Sequence, residues 1–169
     1  KVYEYIEDDL LYACDILPYA TDDQYRESND YRFSKGAALG LLTKVYATWA
    51  GYPVKDESKW EAAAKTARIL VESGKHGLLK DYEQLWKNTC NGTWDPTESL
   101  IEISFYSPTV SGNSDPVGRI GKWNGVKTTA IAGVRGSCAA NVKVVHTFVL
   151  DWREDVSDIR RDLSIANYQ

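Results

Sequence analysis

The chain has 169 residues, 43% of them hydrophobic, and a formal net charge of −4, which is enough for one domain with a real core. Its pI is near 5.2 and it has no basic run, so it lacks the positive footprint that nucleic-acid binding needs. No apolar run is long enough to cross a membrane and no secretory signal opens the chain. It starts Lys1-Val2-Tyr3 inside a helical pattern and contains no methionine, so it reads as a piece excised from something longer.

Residues 2 to 17 are predicted to form a helix, with Val2, Ile6, Leu10, Ala13 and Leu17 on one face and Pro18 closing it. Residues 21 to 32 are polar and read as an exposed connection. The helix–loop–helix from Ser34 to Gly74 carries the clearest signals. Ser34 can cap the first helix, and Ala37, Ala38, Leu41, Leu42, Val45 and Trp49 give it an apolar face. Gly51 and Pro53 end it, because proline cannot continue the ladder and disfavours helix just before itself.

Ser58-Lys59-Trp60-Glu61 is predicted to form a capping box for the second helix. Trp60, Ala63, Ala64, Ala67, Leu70 and Val71 would be its buried stripe, with Gly74 as the left-handed stop. The pair fits either a stacking helical repeat or an ordinary antiparallel hairpin.

A short helix is expected around Asp81 to Trp86, capped by Asp81 and Gln84. Ser99 to Tyr106 alternates Ile101, Ile103 and Phe105 with polar residues, the pattern of a half-buried strand. From Ser107 to Ser137 periodicity stops, and a loop of that length in a compact domain is functional or disordered. Its Trp123, Ile131 and Val134 favour order. Apolar character returns at Val142 to Leu150, Asp151 to Arg161 is highly charged, and Leu163 to Tyr168 reads as a last strand. The division expected is a helical scaffold over 1–98 and a loop-rich part over 99–169.

Catalytic constellations are not evident. His76 and His146 are isolated, and neither a His-Glu-x-x-His helix nor a Gly-x-Ser-x-Gly elbow occurs. Gly118-Arg-Ile-Gly121 is too short to cradle a phosphate. Asp8-Asp9 and Asp22-Asp23 lack the alternating acids and glycine of a calcium loop and read as solvated residues. The charged cluster from Asp151 to Arg161 is explained by local ion pairs. Neither a cofactor nor a metal site is expected. Cys14 reads as a small core residue, while Cys90 and Cys138 lie in loops and could pair if the fold brought them together.

Aromatic composition says more. Six tryptophans and eleven tyrosines stand against three phenylalanines, a bias toward rings that join an apolar face to a polar handle and suit binding surfaces. Sugars present C–H faces to such rings and hydroxyls to polar groups at the rim. Trp49, Trp60, Trp86 and Trp152 fit helical apolar faces and read as core. Trp94 and Trp123 lie outside regular helices, each as either a binding platform or local packing. The ligand-binding candidates are Trp123, Tyr106, Arg119, Asn124 and Trp94.

Several segments together resemble the SusD/RagB family. They are Val2-Tyr-x-x-Ile6 with Leu17-Pro18; Ser34-Lys-Gly-Ala-Ala38 leading to Val45-Tyr46 and Ala50-Gly-Tyr-Pro53; and Trp60-Glu-Ala-Ala-Ala64 followed by Ser73-Gly74 and Asp81-Tyr82-x-x-Leu85-Trp86. Glu98-Ser-Leu-Ile-Glu-Ile103 and Asp158-Ile-Arg-Arg-Asp162 continue the order. Each motif is loose alone, and the corner from Gly51 to Glu57 is longer than a tetratricopeptide turn.

The resemblance implies a mainly α fold of tetratricopeptide-like helical pairs, with a loop-rich region and a few short strands. It implies a non-enzymatic surface lipoprotein of the Bacteroidetes outer membrane. Such a protein binds oligo- or polysaccharide beside a SusC-like TonB-dependent transporter barrel, and its lipid anchor would lie outside this chain. The rival reading is a tetratricopeptide-like scaffold for protein partners without sugar binding. A hydrolase is the least supported.

Overall fold

A computed structural model describes residues 1–103, 123–124, 126–132, 137–154 and 157–165. The fold is mainly α, and the chain divides into two compact units, 1–103 and 104–169. Within the described residues run α1 (Val2–Ile16), α2 (Lys35–Ala50), α3 (Lys59–Glu72), α4 (Tyr82–Asn91), α5 (His146–Glu154) and α6 (Arg160–Ser164). None of the described helices is long and apolar enough to cross a membrane.

The first unit is built around α2, which packs on both α1 and α3. Ser34 caps it from an extended backbone, its hydroxyl accepting the Ala37 N–H at 3.3 Å. Because α2 has a neighbour on two sides, it buries more than one stripe. Ala37, Ala38, Leu42 and Trp49 are inside as expected, joined by Gly36, Leu39, Tyr46 and Ala50. Leu41, expected inside, is 39% exposed.

Leu10 of α1, Leu42, Tyr46 and Trp49 of α2 and Ala63 of α3 form the core, with Tyr3, Ile6, Cys14 and Phe33 packed around it. Tyr3 stacks on Trp49 with centroids 5.1 Å apart. Burial raises the Cys14 thiol's pKa, against an opposing pull from Lys35.

A polar knot pins these three helices together. Glu7 of α1 accepts from the Tyr46 hydroxyl at 2.8 Å and from Lys59 Nζ at 3.0 Å. The ammonium sits 4.0 Å above the Trp49 ring, where the indole quadrupole adds to the ion pair. Burial and the Glu7 hydrogen bond push the Tyr46 pKa up to about 12.

Two expectations for α3 fail. Ser58 has a helical backbone and its hydroxyl donates to Asp56 at 2.5 Å, so no capping box forms. The turn before it already satisfies the helix start, with Lys59 N–H bonded to Asp56 O and Trp60 N–H to Glu57 O. Only Ala63 and Thr66 are fully buried on α3. Trp60 is 53% exposed and Val71 74%, because α2 covers one side of α3 and the apolar stripe is wider than that contact.

Asp81 caps α4 as expected, accepting from the N–H groups of Glu83 and Gln84, and Gly92 ends it in the left-handed region. This helix runs to Asn91, so Cys90 is helical and exposed rather than in a loop. Cys90 is a free thiol. Trp86, expected in the core, is 48% exposed and meets Tyr82 edge-on at 6.1 Å. Residues 99–103 are irregular, and the remainder of the strand expected there lies outside the described residues.

In the second unit, Thr128 and Cys138 form an isolated antiparallel bridge. Phe148 and Trp152 pack along α5 at 5.3 Å, and the Trp152 indole N–H donates to Asp158 at 3.0 Å. Arg160 binds the same carboxylate through two nitrogens and holds it well below the usual acid range. The charged segment thus forms local ion pairs, Arg161 with Asp162 included. Leu163, expected to open a strand, belongs to α6.

Candidate functional site

The segment from Tyr19 to Arg32 is an exposed connection, as its polarity suggests, held by local hydrogen bonds. Turn bonds run from Asp22 N–H to Tyr19 O and from Arg26 N–H to Asp23 O. The Asp23 carboxylate accepts the Tyr25 N–H at 3.0 Å, a local side-chain turn of the kind aspartate favours. Arg26 then folds inward. Its Nη1 donates to the carbonyls of Asp30 and Arg32 at 2.8 and 2.9 Å, and its side chain is only 6% exposed. Arg32 clamps Asp30 through its side chain and its backbone N–H, which holds the Asp30 pKa at about 2.

Trp94 closes this segment from a distant part of the chain. Its backbone N–H donates to Asn29 Oδ1 at 2.8 Å, a bond between residues 65 apart. The Arg26 guanidinium lies 5.3 Å from its ring centroid and Tyr31 tilts against it at 5.9 Å. At 8% exposure the indole has no open face for a sugar to stack on.

Beside Trp94 lies a cavity of about 330 Å³ walled by Asp23, Arg26, Glu27, Asn29, Trp94 and Pro96, with Ala20, Thr21 and Ser28 completing it. Two buried donors of residues that line it, Trp94 Nε1 and Arg26 Nε, have no hydrogen-bond partner among the described residues, and neither atom has accessible surface. Arg26 Nε is 3.9 Å from Asp23 Oδ2, an ion pair too long for a hydrogen bond.

The floor behind the cavity is fixed by His76. Its Nδ1 lies 2.8 Å from Pro96 O; a carbonyl only accepts, so Nδ1 carries the proton. Lys75 pairs with Asp22 at 2.7 Å and Glu98 accepts the Leu79 N–H at 2.6 Å. The Trp94–Glu98 turn is therefore tied at both ends.

Of the other residues expected to bind ligand, Trp123 and Asn124 lie in the second unit. Trp123 is 44% exposed, its carbonyl accepts the Asn141 N–H at 2.7 Å, and Asn124 is exposed. Tyr106 and Arg119 fall outside the described residues. Sequence reading missed Arg26 and Asp23. The spacing Asp23-x-x-Arg26 was a faint clue, but nothing local reveals that Arg26 meets Trp94. No group of His, Cys, Asp and Glu side chains fit to hold a metal occurs among the described residues.

No protein-family model matches the chain. The chain is similar to a SusD-like protein of Bacteroides ovatus, with 26% identity over 129 residues, 70% of this chain. It covers 24% of that relative, so it spans about a quarter of the relative's length. The similarity agrees with the family resemblance read from the sequence.

Proposed function

We propose that this chain is part of a cell-surface glycan-binding protein of the SusD/RagB type. It would act without catalysis, lipid-anchored at the outer membrane, and pass oligo- or polysaccharide to a SusC-like TonB-dependent transporter barrel. The observation that carries the reading is the similarity to a SusD-like protein over 70% of the chain.

Helices α1 to α3 supply the rigid support, and the segment after Tyr106 supplies the ligand contacts. In this reading Trp123 stacks on the C–H face of a sugar ring, with Tyr106 beside it, while Asn124 and Arg119 bond hydroxyls. A half-exposed indole suits that role because it offers apolar area at low entropic cost.

Calorimetry or affinity electrophoresis of the full-length protein against a polysaccharide panel tests the reading. A glycan should bind, and Trp123→Ala should weaken it by about tenfold or more, the scale of losing one stacked ring. Unchanged affinity in that variant would remove Trp123 from the site.

A second reading, a helical scaffold for a protein partner, is favoured by the exposed apolar residues of α3, Trp60 and Val71. It predicts no affinity for any glycan and loss of partner recovery on Trp60→Glu. Recovery of a transporter barrel in a pull-down, together with sugar binding, would decide for the first.

A further inference from the structure

His76 joins two parts of the first unit through opposite edges of one ring. Its Nδ1–H donates to Pro96 O at 2.8 Å, and the next residue, Gly77, donates its backbone N–H to Thr97 O at 2.9 Å. These bonds hold the Trp94–Glu98 turn, whose Trp94 and Pro96 wall the cavity. The other edge of the ring lies on Gly36 in the first turn of α2, so close that a Cβ there would meet three ring atoms. Nε2 on that edge is buried and has no hydrogen-bond partner among the described residues.

With the proton on Nδ1, Nε2 is a lone-pair nitrogen. A second proton there would make a cation whose new N–H is aimed at a glycine, with no side chain to accept it. The surroundings add to the cost. The first turn of α2 is the positive end of its helix dipole, and its Lys35 ammonium lies 5.8 Å from the Tyr19 ring that packs on the imidazole. The acids nearby are already engaged. Asp22, on the segment after α1, pairs with Lys75 at 2.7 Å; Asp95 accepts the Thr97 N–H at 2.9 Å, and Glu98 the Leu79 N–H at 2.6 Å. None of them is bonded to the ring. A buried imidazolium without a paired anion is costly, so the seat accepts the neutral ring and rejects the charged one.

We infer that His76 is an acid-sensitive latch: uptake of a proton from solvent at Nε2 unseats the imidazole from α2 and frees the Trp94–Glu98 turn, opening the wall of the adjoining cavity. Nε2 has no accessible surface while seated, so the proton enters only when the ring swings out, and the charged ring then stays out. An exposed imidazole takes up its proton near about pH 6.5. The unlatched state therefore holds the extra proton, and linkage keeps the latch complete above that pH and weakens it progressively below. The device works whatever ligand the protein carries.

Hydrogen exchange of the full-length protein, read by mass spectrometry and corrected for the intrinsic pH dependence of amide exchange, tests the latch. For one proton taken up by the open state, opening should rise about tenfold between about pH 7.5 and about pH 5.5. Protection of the peptides carrying Gly77 and Trp94 should fall by that factor, while the core of α2, Leu39 to Tyr46, keeps its protection. His76→Asn places an amide N–H where Nδ1 was, keeps the bond to Pro96 O and cannot be protonated, so the acid step should vanish.

Glu98→Gln and Asp22→Asn remove the titration of the neighbouring acids and should leave the step in place, which keeps the inference testable if His76→Asn loosens the fold. The proposal is overturned if the wild type shows no acid step, or if the step survives in His76→Asn. Loss of the step in either carboxylate variant overturns it as well, and so does a parallel loss of protection along α2.

Discussion

Gly36 lies buried in the first turn of α2 with the His76 imidazole laid against it. A Cβ at this position would find ring atoms Cε1 and Cδ2 at 2.8 and 2.9 Å, and Nε2 nearer still. The ring cannot simply swing aside, because Nδ1 is bonded to Pro96 O at 2.8 Å and Tyr19 packs on it at 5.8 Å. Gly36→Ala therefore overpacks the site, at roughly 1–3 kcal/mol, and displaces a hydrogen bond worth about 1 kcal/mol. Alanine's better helix propensity offsets about 1 kcal/mol. The net expectation is a loss of about 1–3 kcal/mol, or a fall in Tm of about 2–4 °C for each kcal/mol in a chain of this size.

Urea denaturation of wild type, Gly36→Ala, His76→Ala and the double variant measures it. In the His76→Ala background the clash is gone, and Gly36→Ala should become neutral or stabilising by up to about 1 kcal/mol. If Gly36→Ala alone is as stable as wild type, the imidazole is not seated on this glycine. A penalty that persists without His76 would assign the clash to another neighbour.

Glu7→Ala strips partners from both the Tyr46 hydroxyl and Lys59 Nζ, in a pair whose side chains are about a fifth exposed. It should cost about 2–4 kcal/mol in chemical denaturation, whereas Glu7→Gln, which keeps an acceptor for Tyr46, should cost less and bring the Tyr46 pKa down from about 12. Equal losses in the two variants would show that the charge, not the hydrogen bond to Tyr46, holds the knot. Asp30, held at about 2 against an ordinary 3.8 by Arg32's side-chain and backbone hydrogen bonds, contributes stability that is complete above its unfolded pKa and lost as pH falls. The Arg32 backbone amide should therefore lose protection between about pH 4 and about pH 2, a step that Asp30→Asn removes.

Local signals located most helix ends. Ser34 and Asp81 cap from the extended backbone their neighbours dictate, and Pro18 and Gly74 mark a stop and a left-handed turn as their types require, whereas α4 runs past the expected end at Trp86 to Gly92. These are contacts between residues a few positions apart, so the residues themselves specify them. Ser58 is the exception, because Asp56 and Glu57 had already supplied the first turn's acceptors.

Burial was another matter. A stripe predicts one covered face, yet α2 is covered on two sides and α3 on part of one, which leaves Trp60 and Val71 in the open, as Trp86 is on α4. The amount of helix a neighbour hides depends on where that neighbour lies, and no periodicity carries that information. The cavity shows the same division. Polarity marks residues 21–32 as surface, and most of them are exposed; what it does not reveal is that Trp94, bonded to Asn29 from 65 residues away, helps cover the Arg26 side chain. The sequence by itself determined α1 to α3 and the start of α4, the family likeness and the aromatic residues worth suspecting, but it gave no helix at α5 and a strand where Leu163 lies in α6. Only the tertiary structure decided that the Trp94 ring is covered, because exposure of a ring is set by groups the chain brings from far away.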